Sequence, residues 1–472
     1  MMIMSKLADE EDDLSKFPDE IVASIMCWLD TEEAARMSVV SKRLRKIWKS
    51  TIQNTPRLAF NVDYKFAKKL SAAHNDRLTL KFENDDDDSD LIRRYSSIIN
   101  EMKVRDLMRD KIINEVNGVL ELHKAPTLDE FSLFGDRLIR KQRHHINTWV
   151  HFAAKKHVKK LTLHLNTAIR YDATFIADKF HCLRDLYIKG LYVTQNVIRS
   201  LFSNCPFLER FSLLHSYKFD KLKIISAPNL KYLHLSDNWN LRQFKFSSAK
   251  NVLDTIEIGG GQYPLLTIDV SAPNLSHLNL AIHHCFKFDP YLTLLNQIKR
   301  LALRIGSDRS LLQFPQFSKV DHLELILSSS YQIPIHLLPD FLKTAPLLNT
   351  LSIKFCRLRH PAKDNCLKWL GKHIVEKVEV NHSCQYIKVV KLDDFAGCQD
   401  EIEFLLNLLY TVSVEKIIIQ LMPFTVWRNR KTWWCYEDEF DNLYEEFCQG
   451  SGQLLKMKIL QMHPNADVTV KL

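Results

Sequence analysis

Ten cysteines are the first candidates for chemistry, at positions 27, 182, 205, 285, 356, 366, 384, 398, 435 and 448. None forms a Cys-x-x-Cys pair and no spacing suits a tetrahedral zinc site, so small buried hydrophobes with reduced thiols are expected. The run Asp85-Asp86-Asp87-Asp88 could attract a cation. A calcium loop of the EF-hand type needs a Gly and a closing Glu at fixed offsets, and neither is present, so a solvated loop is expected. Only 11 glycines in 472 residues argue against Gly-rich phosphate loops. The segment Trp427-Arg428-Asn429-Arg430-Lys431-Thr432-Trp433-Trp434 mixes aromatic and basic residues. That is the chemistry of single-stranded nucleic acid binding, but on a poorly periodic stretch it reads as a packed surface loop. No nucleophile–base pair is detectable. No catalytic residue, metal or cofactor is expected, and the chain reads as a non-enzyme.

The elements that could position a binding surface are more informative. Apolar content of 46% and charged content of 26% are globular averages. A chain of 472 residues needs two or more structural units. The formal charge of +9 permits an acidic partner without demanding one. The N-terminus is acidic from Asp9 to Asp13, with no apolar leader, and no run approaches a membrane span. The expectation is a nuclear or cytoplasmic protein with no membrane partner.

The pattern apolar-x-x-apolar-x-apolar recurs from Leu128, Val158, Leu183, Leu208, Leu230, Leu253, Leu275, Ile298, Val320, Leu348 and Val375. From 158 to 375 the steps are 25, 25, 22, 23, 22, 23, 22, 28 and 27 residues. Such spacing belongs to leucine-rich repeats. Ser226-Ala227-Pro228-Asn229-Leu230 returns as Ser271-Ala272-Pro273-Asn274-Leu275 in the same register. Proline there stops a preceding helix and sets an extended start to a strand. A parallel α/β sheet with full crossover helices would need longer steps.

Each repeat should give one strand to a curved parallel sheet, its pattern residues inward and the alternating ones outward on the concave face. That face should carry Lys160, Thr162, His164, Asp185, Tyr187, Lys189, Arg210, Ser212, Tyr232, His234, Ser236, Thr255, Glu257, His277, Asn279, Arg300, Arg304, His322, Glu324, Thr350, Ser352 and Lys354. Tyr and Arg are common interface anchors. The chosen target-binding candidates are Tyr187, Arg210, Tyr232, His234, His277, Arg300, Arg304 and His322.

Residues 14–48 predict three short helices. Pro18 suits a first turn, Asp19 and Glu20 face the positive helix end, and Ile21, Ile25 and Leu29 share a face. Thr31 and Ser41 can cap the second and third helices. The third carries Leu44, Ile47 and Trp48 on one side and Lys42, Arg43, Arg45 and Lys46 on the other. So small a module leaves apolar faces exposed, as a docking surface would. The string resembles an F-box through Asp13, Phe17-Pro18-Asp19-Glu20-Ile21, Trp28-Leu29-Asp30-Thr31-Glu32-Glu33-Ala34, and Val40-Ser41-Lys42-Arg43 to Trp48. Phe17, Asp30 and Leu44 stand where that family usually carries Leu, Pro and, in plants, Trp.

Between the module and the repeats, Leu58 to Val62 and Leu78 to Phe82 look like strands. Residues 95–123 predict an amphipathic capping helix with Ile98, Met102, Leu107, Ile112, Val116 and Val119. After residue 380 the period breaks. Strands are expected at Tyr386–Leu392 and Val414–Ile419, a helix at Glu401–Tyr410, then a helix over 437–448 and a strand over 454–460. Val389-Val390-Lys391-Leu392, Phe395-Ala396-Gly397, Glu401 to Tyr410 and Val414-Glu415-Lys416-Ile417 resemble the FBD segment of plant F-box/leucine-rich-repeat proteins. Asn147 to Ala154 resembles the helix that opens the repeats in that family.

The resemblance implies an α/β protein: an N-terminal three-helix F-box, a leucine-rich-repeat solenoid and a C-terminal α/β cap. The expected boundaries are an acidic tail 1–12, F-box 13–52, linker and N-terminal cap 53–124, repeats 125–381 and an FBD-like cap 382–472. It implies a substrate receptor in an SCF-type cullin-RING ubiquitin ligase. The F-box would bind a Skp-type adaptor, and through it cullin, with Leu14, Pro18, Ile21, Ile25, Leu29, Val40, Leu44 and Trp48. The repeat arc would bind an unknown target protein. The alternatives are a repeat scaffold without a ligase role and, less favoured, a nucleic-acid-binding solenoid.

Overall fold

The computed structural model describes residues 17–29, 31–63, 89–216, 219–238, 240–248, 250, 252–259, 267–282, 286–305, 314–327, 342–356, 385–395, 399–421 and 452–471. Leu14, Leu78–Phe82, Asp85–Asp88, Val375, the Trp427–Trp434 segment and the expected helix over 437–448 lie outside them.

Three helices open the chain: α1 (Asp19–Trp28), α2 (Thr31–Val40) and α3 (Lys42–Asn54). The Pro18 carbonyl accepts from the Ile21 and Val22 amides, both at 3.1 Å, which starts α1. Ser41 caps α3 as expected, its hydroxyl accepting from Leu44 N–H at 3.1 Å. Thr31 does not cap. It is the first residue of α2, and its hydroxyl accepts from Ala59 N–H at 3.1 Å. Threonine in this place ties the helices to the first strand instead.

The chain divides into two compact units, residues 1–219 with 223–230, and 220–222 with 231–472. The sheet of the first unit runs β1 (Arg57–Asn61), β2 (Glu130–Gly135), β3 (Lys160–Leu165), β4 (Asp185–Lys189) and β5 (Arg210–Leu214), all parallel and in chain order. Every pattern leucine or valine in this unit is buried, from Leu128 and Val158 to Leu208, and each strand starts two residues after it. The connections hold helices Arg143–Lys155, Thr174–Lys179 and Gln195–Asn204. Trp149, fully buried, donates from Nε1 to Asn117 Oδ1 at 2.7 Å and fixes the first of these against the long helix Ser89–Leu122. That long helix buries Ile112, Ile113, Val116 and Leu120, while Leu107 is exposed. Leu107 lies five residues before Ile112, which takes it off the buried stripe.

The remaining strands are β6 (Lys221–Ile225), β7 (Tyr232–Ser236), β8 (Gln243–Ser247), β9 (Thr255–Gly259), β10 (Thr267–Ser271), β11 (His277–Ile282), β12 (Arg300–Ile305), β13 (His322–Leu327), β14 (Thr350–Phe355), β15 (Gln385–Phe395), β16 (Val412–Leu421) and β17 (Asp467–Lys471). In the second unit the parallel sheet runs β7-β9-β11-β12-β13-β14-β15-β16-β17. β8 and β10 pair with each other in a second parallel ladder. Sequence reading missed these return strands. The steps of 25 residues hold helices, whereas the shorter steps that begin at Leu208, Leu230 and Leu253 return through five-residue strands. The 23-residue step from Leu275 returns through the short helical turns Asp289–Tyr291 and Leu292–Leu295 instead.

Proline sits at the second position of a turn before several strands. Leu230 N–H donates to Ala227 O (3.3 Å), Leu275 to Ala272 (3.1 Å) and Leu348 to Ala345 (3.2 Å), across Pro228, Pro273 and Pro346. At each strand start one carbonyl then accepts two successive amides of the next repeat. Asp254 O takes Ser276 and His277, Ser276 O takes Lys299 and Arg300, and Lys299 O takes Asp321 and His322. This ladder locks neighbouring strands in register.

The C-terminal strands β15, β16 and β17 continue the parallel sheet, with helix Gln399–Thr411 between the first two burying Ile402, Leu405, Leu406 and Leu409. The strand expected over 454–460 is part of a helix, Gly452–Met462. Leu455 and Ile459 are buried at helical spacing, and Met457 between them is 57% exposed.

Candidate interaction surfaces

Two surfaces carry the candidate residues. On the N-terminal helices, Val22, Met26, Ala34, Leu44 and Ile47 form a small core, with Leu29, Met37 and Trp48 packed against it. Several apolar side chains remain outside it: Phe17 (46% exposed), Ile21 (47%), Val39 and Val40 (each 72%). Of the expected adaptor residues, Pro18, Ile21 and Val40 lie at the surface. Ile25, Leu29 and Trp48 are half-buried, and Leu44 is core. Leu44 thus shapes the surface from beneath. Trp48 also lines a 340 Å³ pocket with Thr31, Ala35, Phe60 and Gly118. Phe17 and Val39 were not among the sequence candidates. Two successive β-branched residues at a helix end cannot both face one core, and that signal could have found Val39.

On the first unit's sheet, one row of outward residues is Arg57, Glu130, Lys160, Asp185 and Arg210, neighbours in strict register. Charges alternate along it. Glu130 lies 3.9 Å from Arg57 and 2.9 Å from Lys160, and Asp185 lies 3.6 Å from Arg210. Burial pushes the Asp185 carboxyl up, against the pull of Arg210 and Lys160. Tyr187 stands in the next row among Ser132, Thr162 and Ser212, whose short side chains leave its ring room.

In the second unit the corresponding row reads Tyr232, Thr255, His277, Arg300, His322 and Thr350. Six sequence candidates fall on this sheet. His277, Arg300 and His322 are immediate neighbours, with Arg300 Nη1 3.0 Å from His277 Nε2. His277 Nδ1 lies 3.3 Å from Asp254. Burial raises the Asp254 carboxyl, but hydrogen bonds from Ser276 and Thr255 and the nearby His277 outweigh that and hold it low. Burial, then Arg300 and Lys391, hold His322 below the ordinary imidazole value, with Asp321 opposing. His322 Nε2 meets Ser352 Oγ at 3.4 Å. His277, Arg300 and His322 line a pocket of 360 Å³. Tyr232 is two strands away in the same row, and its ring meets His234 edge-on at 6.4 Å. His234 stands one row on, 3.8 Å from Glu257, and is lowered chiefly by burial. Arg304 lies a further row along, beside Ala281 and Ile326.

Cys205 is buried, its thiol pushed up to about 12 by burial, and its Sγ lies 2.7 Å from the Phe180 carbonyl. Cys182, by contrast, is exposed. Among the described residues no group of three His, Cys, Asp or Glu side chains could hold a metal ion, and no helix is long and apolar enough to cross a membrane.

The F-box domain model matches residues 14–54. The model described as "At1g61320/AtMIF1, LRR domain" matches residues 169–445. The chain belongs to the F-box/leucine-rich-repeat family. The leucine-rich-repeat match runs through β15 and β16, in keeping with a sheet that continues past β14. Among similar proteins is the F-box/FBD/LRR-repeat protein At1g13570 of Arabidopsis thaliana, 24% identical over 86% of this chain and 90% of that protein. F-box/LRR-repeat protein 13 is 22% identical over 75% and 78%. FBD-associated F-box protein At5g44490 is 24% identical over 72% of each. Both are also Arabidopsis proteins. The family is thus the plant F-box/leucine-rich-repeat group, its FBD-associated members included.

Proposed function

We propose that this protein is the substrate-recognition subunit of an SCF-type cullin-RING ubiquitin ligase. Its F-box holds a Skp-type adaptor and, through it, cullin. The outward face of the repeat sheet holds a target protein. The chain itself catalyses nothing: it raises the local concentration of target lysines near a charged conjugating enzyme, and other subunits do the chemistry. It works in the nucleus or cytoplasm, where those partners are found. The observation that carries the reading is the exposed apolar set Phe17, Ile21, Val39 and Val40 on a helical module whose own core is complete without them. Such a set on so small a module is the mark of a docking surface.

The test is capture of purified Skp-type adaptor and cullin by the full chain. Retention of both supports the receptor. Retention of neither would leave a repeat scaffold without a ligase role.

A further inference from the structure

The N-terminal helices meet the rest of the first unit around the 340 Å³ pocket beside Trp48. Helix α2 contributes Ala35 to its wall, α3 Trp48 and β1 Phe60, and the helix Ser89–Leu122 contributes Gly118, Val119 and Leu122. The volume lies at the lower end of the range for small-molecule sites, roughly 300–1,000 Å³. Gly118 keeps this space open. A Cβ on residue 118 would meet nothing within 4 Å, so a larger side chain there would take up room that the helix now leaves free. Glycine is a poor residue for a helix interior, and no close approach at this position requires it.

Two polar groups of the wall are donors. Trp48 Nε1 is buried and meets no acceptor among the described residues. Thr31, which also lines the pocket, accepts from Ala59 N–H and still has its own proton to give. A buried N–H without an acceptor costs free energy that a ligand oxygen would relieve. The exposed side chains Asn114 and Glu115 complete the lining, and the Glu115 carboxylate disfavours an anionic ligand. We propose that this pocket binds an uncharged, largely apolar small molecule of about the size of a substituted naphthalene, its carbonyl oxygen held by Trp48 and Thr31. Trp48 is half-buried, so its ring can turn Nε1 toward that oxygen as the ligand enters. The bound molecule joins α2, α3 and β1 to the long capping helix. The site shares no residue with the outward sheet rows or with the exposed set Phe17, Ile21, Val39 and Val40, so it stands independently of the receptor reading.

The test uses the full chain, as wild type, Trp48→Phe and Gly118→Leu, with circular dichroism to confirm that each is folded. Three naphthalenes of similar size are titrated by saturation-transfer NMR. Methyl naphthyl ketone offers a carbonyl, isopropenylnaphthalene has the same shape without the oxygen, and naphthoate is an anion. The ketone should bind in the micromolar range, and the other two about tenfold or more weakly. Trp48→Phe, which keeps an aromatic ring but not the N–H, should lose most of the preference for the ketone. Its spectrum also identifies the Trp48 indole signal, which in the wild type should move when the ketone is added. Gly118→Leu, with the better helix former, should fold and bind none of the three. Binding by Gly118→Leu equal to that of the wild type would place the probes elsewhere and overturn the proposal. So would equal affinity of the wild type for ketone and hydrocarbon, which marks an unspecific apolar surface. Preference for naphthoate would overturn it in favour of an anionic amphiphile such as a fatty acid. Binding of no probe would overturn it too, and would leave the pocket to a side chain of a partner protein. Should Trp48→Phe fail to fold, the three probes with the wild type and Gly118→Leu still decide.

Discussion

The Arg43 guanidinium lies 2.8 Å from the Asp19 carboxylate and also donates to the Phe17 carbonyl, so the start of α3 holds the start of α1. Both side chains are substantially exposed, and such a pair contributes only ~0–1 kcal/mol to stability. Its effect is geometric. It ties the head of α1, which carries Phe17 and Ile21, to the start of α3, three residues beyond Val40.

Surface and core roles on this module should therefore separate cleanly. Ile21→Asp is expected to abolish capture of a Skp-type adaptor while changing folding stability by no more than ~0.5 kcal/mol, because Ile21 is 47% exposed. Leu44→Ala, at 3% exposure, is expected to cost ~2–4 kcal/mol and to weaken capture only through unfolding. Urea unfolding followed by circular dichroism, beside a pull-down, reads both. Undiminished capture by Ile21→Asp would remove this face from the adaptor contact.

A hydrogen bond from Trp149 Nε1 to Asn117 ties the helix Arg143–Lys155 to the long helix that precedes the repeats. Asn117→Ala leaves the indole N–H buried and unpaired, a loss of ~1–3 kcal/mol. Removing the donor as well, in Asn117→Ala with Trp149→Phe, should recover part of that loss. The urea midpoints of the single and double variants decide it. A single variant as stable as wild type would mean that water or another group satisfies the indole.

Much of this fold was legible because the strand period is two. Leu230, Leu233 and Leu235 announce a strand, and all three are buried, with Tyr232 and His234 between them facing out. The same rule led astray at Leu455-Lys456-Met457-Lys458-Ile459, where alternation of apolar and basic residues mimics a strand. There Leu455 and Ile459 also satisfy a helix, and tertiary packing chose it. The residues His277, Arg300 and His322 could be listed from sequence, but their becoming immediate neighbours could not. That fact depends on which residue stands beside Arg300 in the next strand, and register exists only once the repeats are stacked.

Several imidazoles make stability depend on pH. His123, His164, His234 and His322 all sit below the ordinary imidazole value of 6.5, each chiefly because burial disfavours the charged ring. Between 6.5 and the lower folded value, the unfolded chain binds more protons than the folded one, so stability rises with pH there. Their contribution is complete above that window and is lost as the pH falls through it. The urea midpoint should therefore drop between about pH 7.5 and about pH 5.5. His123→Gln, which can keep a hydrogen bond to the Thr55 carbonyl now 3.0 Å away, should reduce the drop. An identical pH profile for wild type and His123→Gln would exclude His123 as a contributor.

Two glycines should respond to the same substitution with opposite signs. Gly190 ends β4 at a φ of +76°, and an added Cβ would lie 1.8 Å from the Leu165 carbonyl oxygen, an overlap that backbone must move to relieve. Its N–H also donates to Leu214 O at 3.0 Å, so moving it breaks a bond to β5. Gly190→Ala is expected to lose more than ~1 kcal/mol and to raise amide exchange at the ends of β4 and β5. Gly118 lies inside the Ser89–Leu122 helix, and a Cβ there would meet nothing within 4 Å. Gly118→Ala is expected to gain ~0.5–1 kcal/mol, because alanine gives up less backbone freedom on entering a helix. Paired urea titrations measure the two shifts. If Gly118→Ala destabilised instead, the space above residue 118 would be occupied in solution, and the 340 Å³ pocket it borders beside Trp48 would hold something in the folded protein.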